Sequence, residues 1–340
     1  MPGSFKASSL LIGIDISIGI VGVIGNLLVS LTILKSKALH SLTHYFLLSL
    51  AVADSLVCVT GIVHAYVITE YNNPTQEGEV LYLVLFFMER SSTGQSALSL
   101  LLVTFERFIG IVRPLHHCNF FTRRKVTLLI LFVWIVPAFI EMWVMVWYMY
   151  VVQKQNCAEN HPHGCDSYIH GMVFPVMNAL LLFVVPAAAM IWMYVQILRN
   201  LKASARRRKN LGIQGPNELQ RARQKLTHAL LLVILAFLAL IMPQKVLYIL
   251  AMALYRDIET SFIIYLQVTV ILLLVNSTVN PILYALKYDK FQREIISVLC
   301  CWLKTSGNQP VPDVKRNMGH MPVSQQAKHQ ATPTYYESCV

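Results

Sequence analysis

The segment EVLYLVLFFMERSSTGQSALSLLLVTFERFIGIVRPL, residues 79–115, decides the fold. Two apolar runs, Val80–Met88 and Ala97–Phe105, make it long enough to cross a bilayer. Yet it carries Glu89 and Arg90 within its span and closes on Glu106-Arg107-Phe108. At 3.6 residues per turn, the step from Glu89 to Arg107 is five whole turns, about 27 Å of rise. One stripe of the helix therefore holds Glu89, Thr93, Ser96, Leu100, Val103 and Arg107. Lipid would not tolerate that stripe, because charges in hydrocarbon are costly and face a bundle interior or a wet cavity. The segment reads as an axle inside a helical bundle, hydrated at its Glu89 end and basic at its Arg107 end.

The rest of the chain supplies the bundle. Of 340 residues, 56% are hydrophobic and only 13% charged, far from the composition of a soluble domain. Apolar runs of spanning length occur seven times, at 10–34, 45–69, 79–110, 125–151, 168–200, 221–254 and 259–286. The net charge of +11, with the run Arg206-Arg207-Arg208-Lys209, invites a nucleic-acid reading. The distribution excludes it. Of 28 Lys and Arg, 23 lie in or beside the first, third and fifth connections and the tail. That asymmetry follows the positive-inside rule, so the N-terminus is expected outside and the C-terminus in the cytosol of a multi-pass plasma-membrane protein. The basic run is then a solvated loop near anionic lipid. The first span reads as a signal anchor rather than a cleaved signal peptide, after a short outer N-terminus of residues 1–9. The one Asn-x-Ser/Thr match, Asn276-Ser277-Thr278, falls inside a span.

Polar residues inside these spans mark where helices must meet. The first span has Gly19, Gly22 and Gly25, which permit close approach, followed by Asn26, which needs a buried partner. The second places Asp54 among apolar neighbours, as a hydrogen-bonded structural group or as a cation or proton site. The fourth holds Trp134, Pro137 and Glu141; the fifth, Pro186 and Tyr194; the sixth, Phe237, Pro243, Gln244 and Lys245. The seventh ends in Asn276-Ser277-Thr278-Val279-Asn280-Pro281-Ile282-Leu283-Tyr284. Prolines within spans bend them and need neighbours for the carbonyls they free.

Asn26, Asp54, Glu106-Arg107, Trp134, Pro186, Pro243 and Asn280-Pro281-x-x-Tyr284 fall in the spans and near the depths of the rhodopsin-like G-protein-coupled receptor signatures. The chain therefore resembles that family across all seven spans. The resemblance implies a seven-transmembrane helix bundle, no enzymatic activity, and heterotrimeric G protein and arrestin as partners. It makes Glu106, Arg107, Tyr194, Phe237, Pro243, Pro281 and Tyr284 the activation residues, with Arg107 held by Glu106 at rest. A second carboxylate restraint, frequent in the family, is missing: residues 221–225 read Arg-Ala-Arg-Gln-Lys. Ligand-independent activity is expected. Ile241 stands where the family carries a switch tryptophan, and Ala97 where a larger apolar residue packs against Pro186 and Phe237.

The same resemblance matches Asp54, Ser96, Asn276 and Asn280 to a sodium pocket; the alternative is a hydrated polar cluster without an ion. Glu89 stands where aminergic receptors keep an aspartate for an ammonium, yet Gln244 and Lys245 are expected in the same cavity. An internal Glu89–Lys245 ion pair is the competing reading, since buried charges are paired. The aromatic cage of amine sites is replaced by Ile241, Val270 and Leu274. The expected ligand is thus a small polar or charged molecule or a short peptide, contacting Glu89, Thr93, Asn178, Gln244, Lys245 and Tyr248. Arg90 is expected to face elsewhere, toward Glu141. Retinal is disfavoured, because the seventh span has no lysine above Lys287.

Tyr82 occupies the position of the family's third-helix cysteine, so the resemblance implies a bridge within the second outer loop, Cys157–Cys165. His161, His163 and Cys165 offer zinc as the alternative. Pro114 and Leu115 sit where the family docks G proteins. Residues 289–303 place Phe291, Ile295, Val298, Leu299 and Trp302 on one face, a membrane-surface helix. Cys300 and Cys301 at its end are either palmitoylated or idle thiols. The polar tail closes on Ser338-Cys339-Val340, a PDZ-type ligand pattern.

The expected organisation is an outer N-terminus (1–9), a seven-span receptor domain (10–286), an amphipathic eighth helix (287–303) and a disordered cytoplasmic tail (304–340). The rival readings are an ion-coupled transporter, disfavoured by the absence of repeats, and a receptor-like scaffold without ligand-dependent signalling. A flux assay separates the first; loss of coupling in Arg107→Ala excludes the second.

Overall fold

The computed structural model describes residues 2–39, 41–70, 76–158, 176–212, 218–253, 260–287 and 289–306, though not every side chain within them. The helices are α1 (Pro2–Lys35), α2 (Leu42–Glu70), α3 (Gln76–Val112), the short α4 (Pro114–Phe120) and α5 (Arg123–Ala158). Then come α6 (Val176–Asn210), α7 (Glu218–Ala253), α8 (Thr260–Lys287) and α9 (Asp289–Ser306). Among the described residues there is no strand. Among the described residues six helices are individually long and apolar enough to cross a membrane, and α8 taken together with α9, bent from it by 94°, makes a seventh candidate. Each of the seven predicted spans falls on a helix, with α1 beginning earlier, at Pro2. The first part of the fifth predicted span lies outside the described residues.

The axle is real. Every residue from Glu89 to Leu100 is buried, on all faces of α3, which packs against α2, α5, α6 and α7. By contrast α5 turns Leu131, Phe132, Ile135, Phe139, Met142 and Trp143 outward, the apolar face lipid requires. Pro186 leaves its own signature in α6. Its ring crowds the carbonyl four residues back and it donates no hydrogen bond. The turn just before it, Leu180–Val184, is widened to a π-helix, in which the Val185 N–H donates to the Leu180 carbonyl.

Close packing depends on missing side chains at two glycines. A Cβ on Gly94 would come within 2.8 Å of Pro137 Cβ on α5. One on Gly22 would run into Cys58 Sγ on α2 and lie 2.6 Å from Thr278 Oγ1 on α8. Asn26, one turn on, donates to the Ser277 carbonyl at 2.9 Å, the buried partner it needs. Gly22→Val is therefore expected to destabilise the fold by about 1–3 kcal/mol through overpacking. The check is the midpoint of thermal unfolding of the purified chain, and an unchanged midpoint would refute the three-helix contact.

Candidate functional site

Three polar layers are threaded along α3. At its Glu89 end, a small cavity lies between α3, α5, α6 and α7. Its polar wall is Arg90, Thr93, Glu141 and Lys245; its apolar lining is Ala97, Leu182, Phe237 and Ile241. A closed triangle of side chains braces it. Arg90 Nε donates to Glu141 Oε2 at 2.9 Å, Asn178 Nδ2 donates to Glu141 Oε1 at 2.6 Å, and Arg90 Nη2 donates to Asn178 Oδ1 at 3.3 Å. Glu141 and Asn178 are each 1% exposed, so three spans are tied by charge-assisted bonds away from water. Phe183 packs against Phe237 at 5.7 Å beside the cavity, and Ile241, in the place of the tryptophan, is buried.

This wall differs from the expected one. Thr93 and Lys245 line it, but Glu89 does not: its Oε2 lies 3.3 Å from His64 Nδ1 on α2. The Glu89–Lys245 pair offered as the competing reading is not formed: Glu89 lies beside His64 instead, and among the described residues no carboxylate lies within ion-pair distance of Lys245. Asn178 is spent on the Arg90–Glu141 pair rather than offered to a ligand. Gln244 does not line the cavity. Arg90, expected to face elsewhere, makes the anticipated pair with Glu141 but does so inside the cavity wall. Asp15 on α1 joins Glu89 and His64 electrostatically, is 4% exposed, and has one carboxylate oxygen with no hydrogen-bond partner among the described residues. Sequence reasoning passed over Asp15 and His64; a lone Asp in the first span and a lone His in the second were the available signals.

The middle layer centres on Asp54, which has no exposed surface. Ser96 Oγ donates to its Oδ1 at 2.8 Å and Asn280 Nδ2 to its Oδ2 at 2.7 Å. Asn276 is buried one turn before Asn280 but makes no hydrogen bond to Asp54. Beside this layer, Trp134 Nε1 donates to Ser49 Oγ at 3.0 Å, joining α5 to α2.

At the far end of α3, Glu106 is a hub. Its Oε2 lies 2.8 Å from Arg107 Nε and accepts from Thr43 Oγ1 at 2.8 Å, while its Oε1 meets His117 Nε2 at 2.8 Å. Arg107 Nη2 also donates to Thr43 Oγ1. The acid and arginine are adjacent, as expected; Thr43 and His117, from α2 and α4, were not foreseen. Tyr194 OH donates to the Thr227 carbonyl at 3.4 Å, linking α6 to α7. Tyr284 is buried with its hydroxyl unpartnered among the described residues, its ring 6.3 Å from Phe291 of α9. Pro114 opens α4, and Leu115 is 76% exposed beside it. Cys300 is exposed. The Cys157–Cys165 pairing, the side chains of Tyr248 and Cys301, and Ser338 and Val340 lie outside the described residues.

The profile of the family described as "7 transmembrane receptor (rhodopsin family)" matches residues 25–284. The chain belongs to the rhodopsin-like receptors. This receptor is 28% identical over 300 residues to somatostatin receptor type 4 of Rattus norvegicus, covering 85% of this chain and 73% of that protein. It is 26% identical over 291 residues to the allatostatin-A receptor of Bombyx mori, covering 84% and 78%. It is also 28% identical over 185 residues to the dopamine D2-like receptor of Drosophila melanogaster, covering 54% and 19%. It is a multi-pass membrane receptor, not an enzyme, and its family partner is a heterotrimeric G protein.

Proposed function

We propose that the receptor takes a small charged molecule or a short peptide in the cavity beside Arg90 and Lys245, and that the occupied state promotes nucleotide exchange on a G protein at the Arg107 end. The observation that carries this reading is the braced Arg90–Glu141–Asn178 triangle beside a cavity with room for about one water molecule. Charge placed that deep is costly unless it is used. Relatives named for somatostatin, allatostatin-A and dopamine leave the ligand's chemistry to be chosen by this wall.

In this reading the N-terminus is extracellular, the Leu115 end of α3 is cytosolic, and arrestin shares the G-protein face. Cys300 and Cys301 carry acyl chains, and Ser338 and Val340 engage a PDZ-type partner. Asp54, Ser96, Asn276 and Asn280 suit a sodium ion, since a buried carboxylate hydrogen-bonded to neutral partners lacks a counter-charge and the other three side chains each carry an oxygen. Sodium bound there would offset the Asp54 charge.

Ala97→Phe puts a ring into the cavity. Any amine, peptide or lipid found to stimulate nucleotide exchange through the wild-type receptor is expected to lose at least about tenfold in potency, about 1.4 kcal/mol. Undiminished potency in that variant would place the ligand elsewhere.

A further inference from the structure

We propose that Asp15, His64 and Glu89 form a proton-binding site between α1, α2 and α3, which holds the three helices more tightly once a proton is bound. The site stands apart from the cavity beside Arg90 and does not depend on what the receptor binds there.

Each side chain comes from a different helix. Asp15 on α1 is 4% exposed, while His64 Nδ1 on α2 and Glu89 Oε2 on α3 lie 3.3 Å apart. Those two side chains are 12% and 10% exposed, so the site is closed but not sealed. The charges that act on Asp15 are Glu89, like in sign, and His64. The cations of the neighbouring cavity are engaged elsewhere: Arg90 pairs with Glu141, and Lys245 acts on Glu141 and Glu89. The helix α8, which packs on both α1 and α2, has no acidic, basic or histidine residue from Thr260 to Leu286. Asp54, ten residues back along α2 from His64, is about 15 Å away along the axis.

An ionised carboxyl group buried beside a second one is costly unless a partner offsets it. Asp15 also has Oδ1 buried with no hydrogen-bond partner among the described residues. One proton remedies both faults. On Asp15 it cancels the charge and turns the carboxyl into a donor; on His64 it makes an imidazolium, a counter-ion to Asp15 and Glu89 together. The proton comes from water, and one O–H or N–H bond is all that forms. The two placements are microstates of one coupled titration, so the binding belongs to the cluster. A larger cation fits less well. His64 and Glu89 are already in contact, and among the described residues no three His, Cys, Asp or Glu side chains are spaced to hold a metal ion. A proton that binds the packed helices better than the parted ones stabilises the packed state as pH falls.

The experiment reads the thermal midpoint of full-length receptor in lipid nanodiscs from about pH 8 to about pH 5.5, the range in which imidazoles exchange protons. Each variant is compared with wild type at the same pH, which cancels the titration of groups outside the site. Asp15→Asn keeps the shape without the charge, so it should be more stable than wild type at the alkaline end. That advantage should shrink by at least about half at the acid end, where wild type has bound its proton. Asp15→Glu keeps an ionisable group and should follow the wild-type pH dependence. His64→Gln should fall increasingly behind wild type as pH is lowered. Zinc chloride added at neutral pH should not reproduce the effect of acid. A gap between Asp15→Asn and wild type that stays constant with pH would overturn the proposal. So would a His64→Gln variant that runs parallel to wild type, or zinc closing the gap as fully as protons do.

Discussion

Glu106→Gln is expected to raise ligand-independent nucleotide exchange by about tenfold, the equivalent of about 1.4 kcal/mol in a two-state equilibrium. Three groups converge on this carboxylate: Arg107 and Thr43 on Oε2, His117 on Oε1. Removing its charge leaves Arg107 without its adjacent counter-ion and His117 with a weaker, neutral partner. Breaking a fully buried pair costs about 3–5 kcal/mol. Arg107 is 22% exposed, so water screens part of that loss and the smaller figure is used. The sequence explains why no backup restraint intervenes: residues 221–225 at the start of α7 contain no acid. On the reading proposed above, release of the arginine frees the G-protein face. Arg107→Ala should instead abolish coupling in either background. Exchange of GTP analogue in membranes, normalised to receptor amount, measures both. Basal exchange in Glu106→Gln equal to wild type at matched expression would sink the restraint model.

What could be read from the sequence divides along a physical line. The bundle was legible because charges in a span-length helix exclude lipid: Glu89, Arg90, Glu106 and Arg107 on one segment compel a buried α3, and residues 89–100 are buried throughout. Asn26 and Asp54 were legible as groups needing partners, since each polar side chain in hydrocarbon must find one. Which partner it finds was not legible. Glu89 and Arg90 are neighbours about 100° apart on the helix, so the sequence places both at the same depth without saying which wall each meets. The structure sends Glu89 toward His64 and Arg90 toward Glu141, reversing the expected lining. His117 escaped notice for a related reason: only the packing of the short α4 under α3 brings it to Glu106, eleven residues away.

Glu141→Ala should destabilise the receptor most, by about 3–5 kcal/mol, the range for removing one member of a buried ion pair. The acid is 1% exposed and, among the described residues, is the only carboxylate on the cavity wall. Without it, Arg90 loses its charge-assisted bond at 2.9 Å, Asn178 loses an acceptor at 2.6 Å, and the like charges of Arg90 and Lys245 keep only Glu89 as an opposing carboxylate near Lys245. No water-filled exterior is available to relieve them, because α5 turns its other face to lipid. Cell-surface abundance should fall along with the thermal midpoint of purified receptor. The double substitution Arg90→Leu with Glu141→Leu separates charge from packing: apolar groups in place of a buried pair are often neutral or stabilising, so it should recover much of the midpoint that Glu141→Ala loses. Glu141→Gln should lie between, since the amide still accepts a hydrogen bond but carries no charge. If Glu141→Ala unfolded within about 1 kcal/mol of wild type, in the range of an exposed pair, the triangle would be incidental to the fold. If the double substitution fell as far as Glu141→Ala, shape rather than charge would be what holds α3, α5 and α6 together.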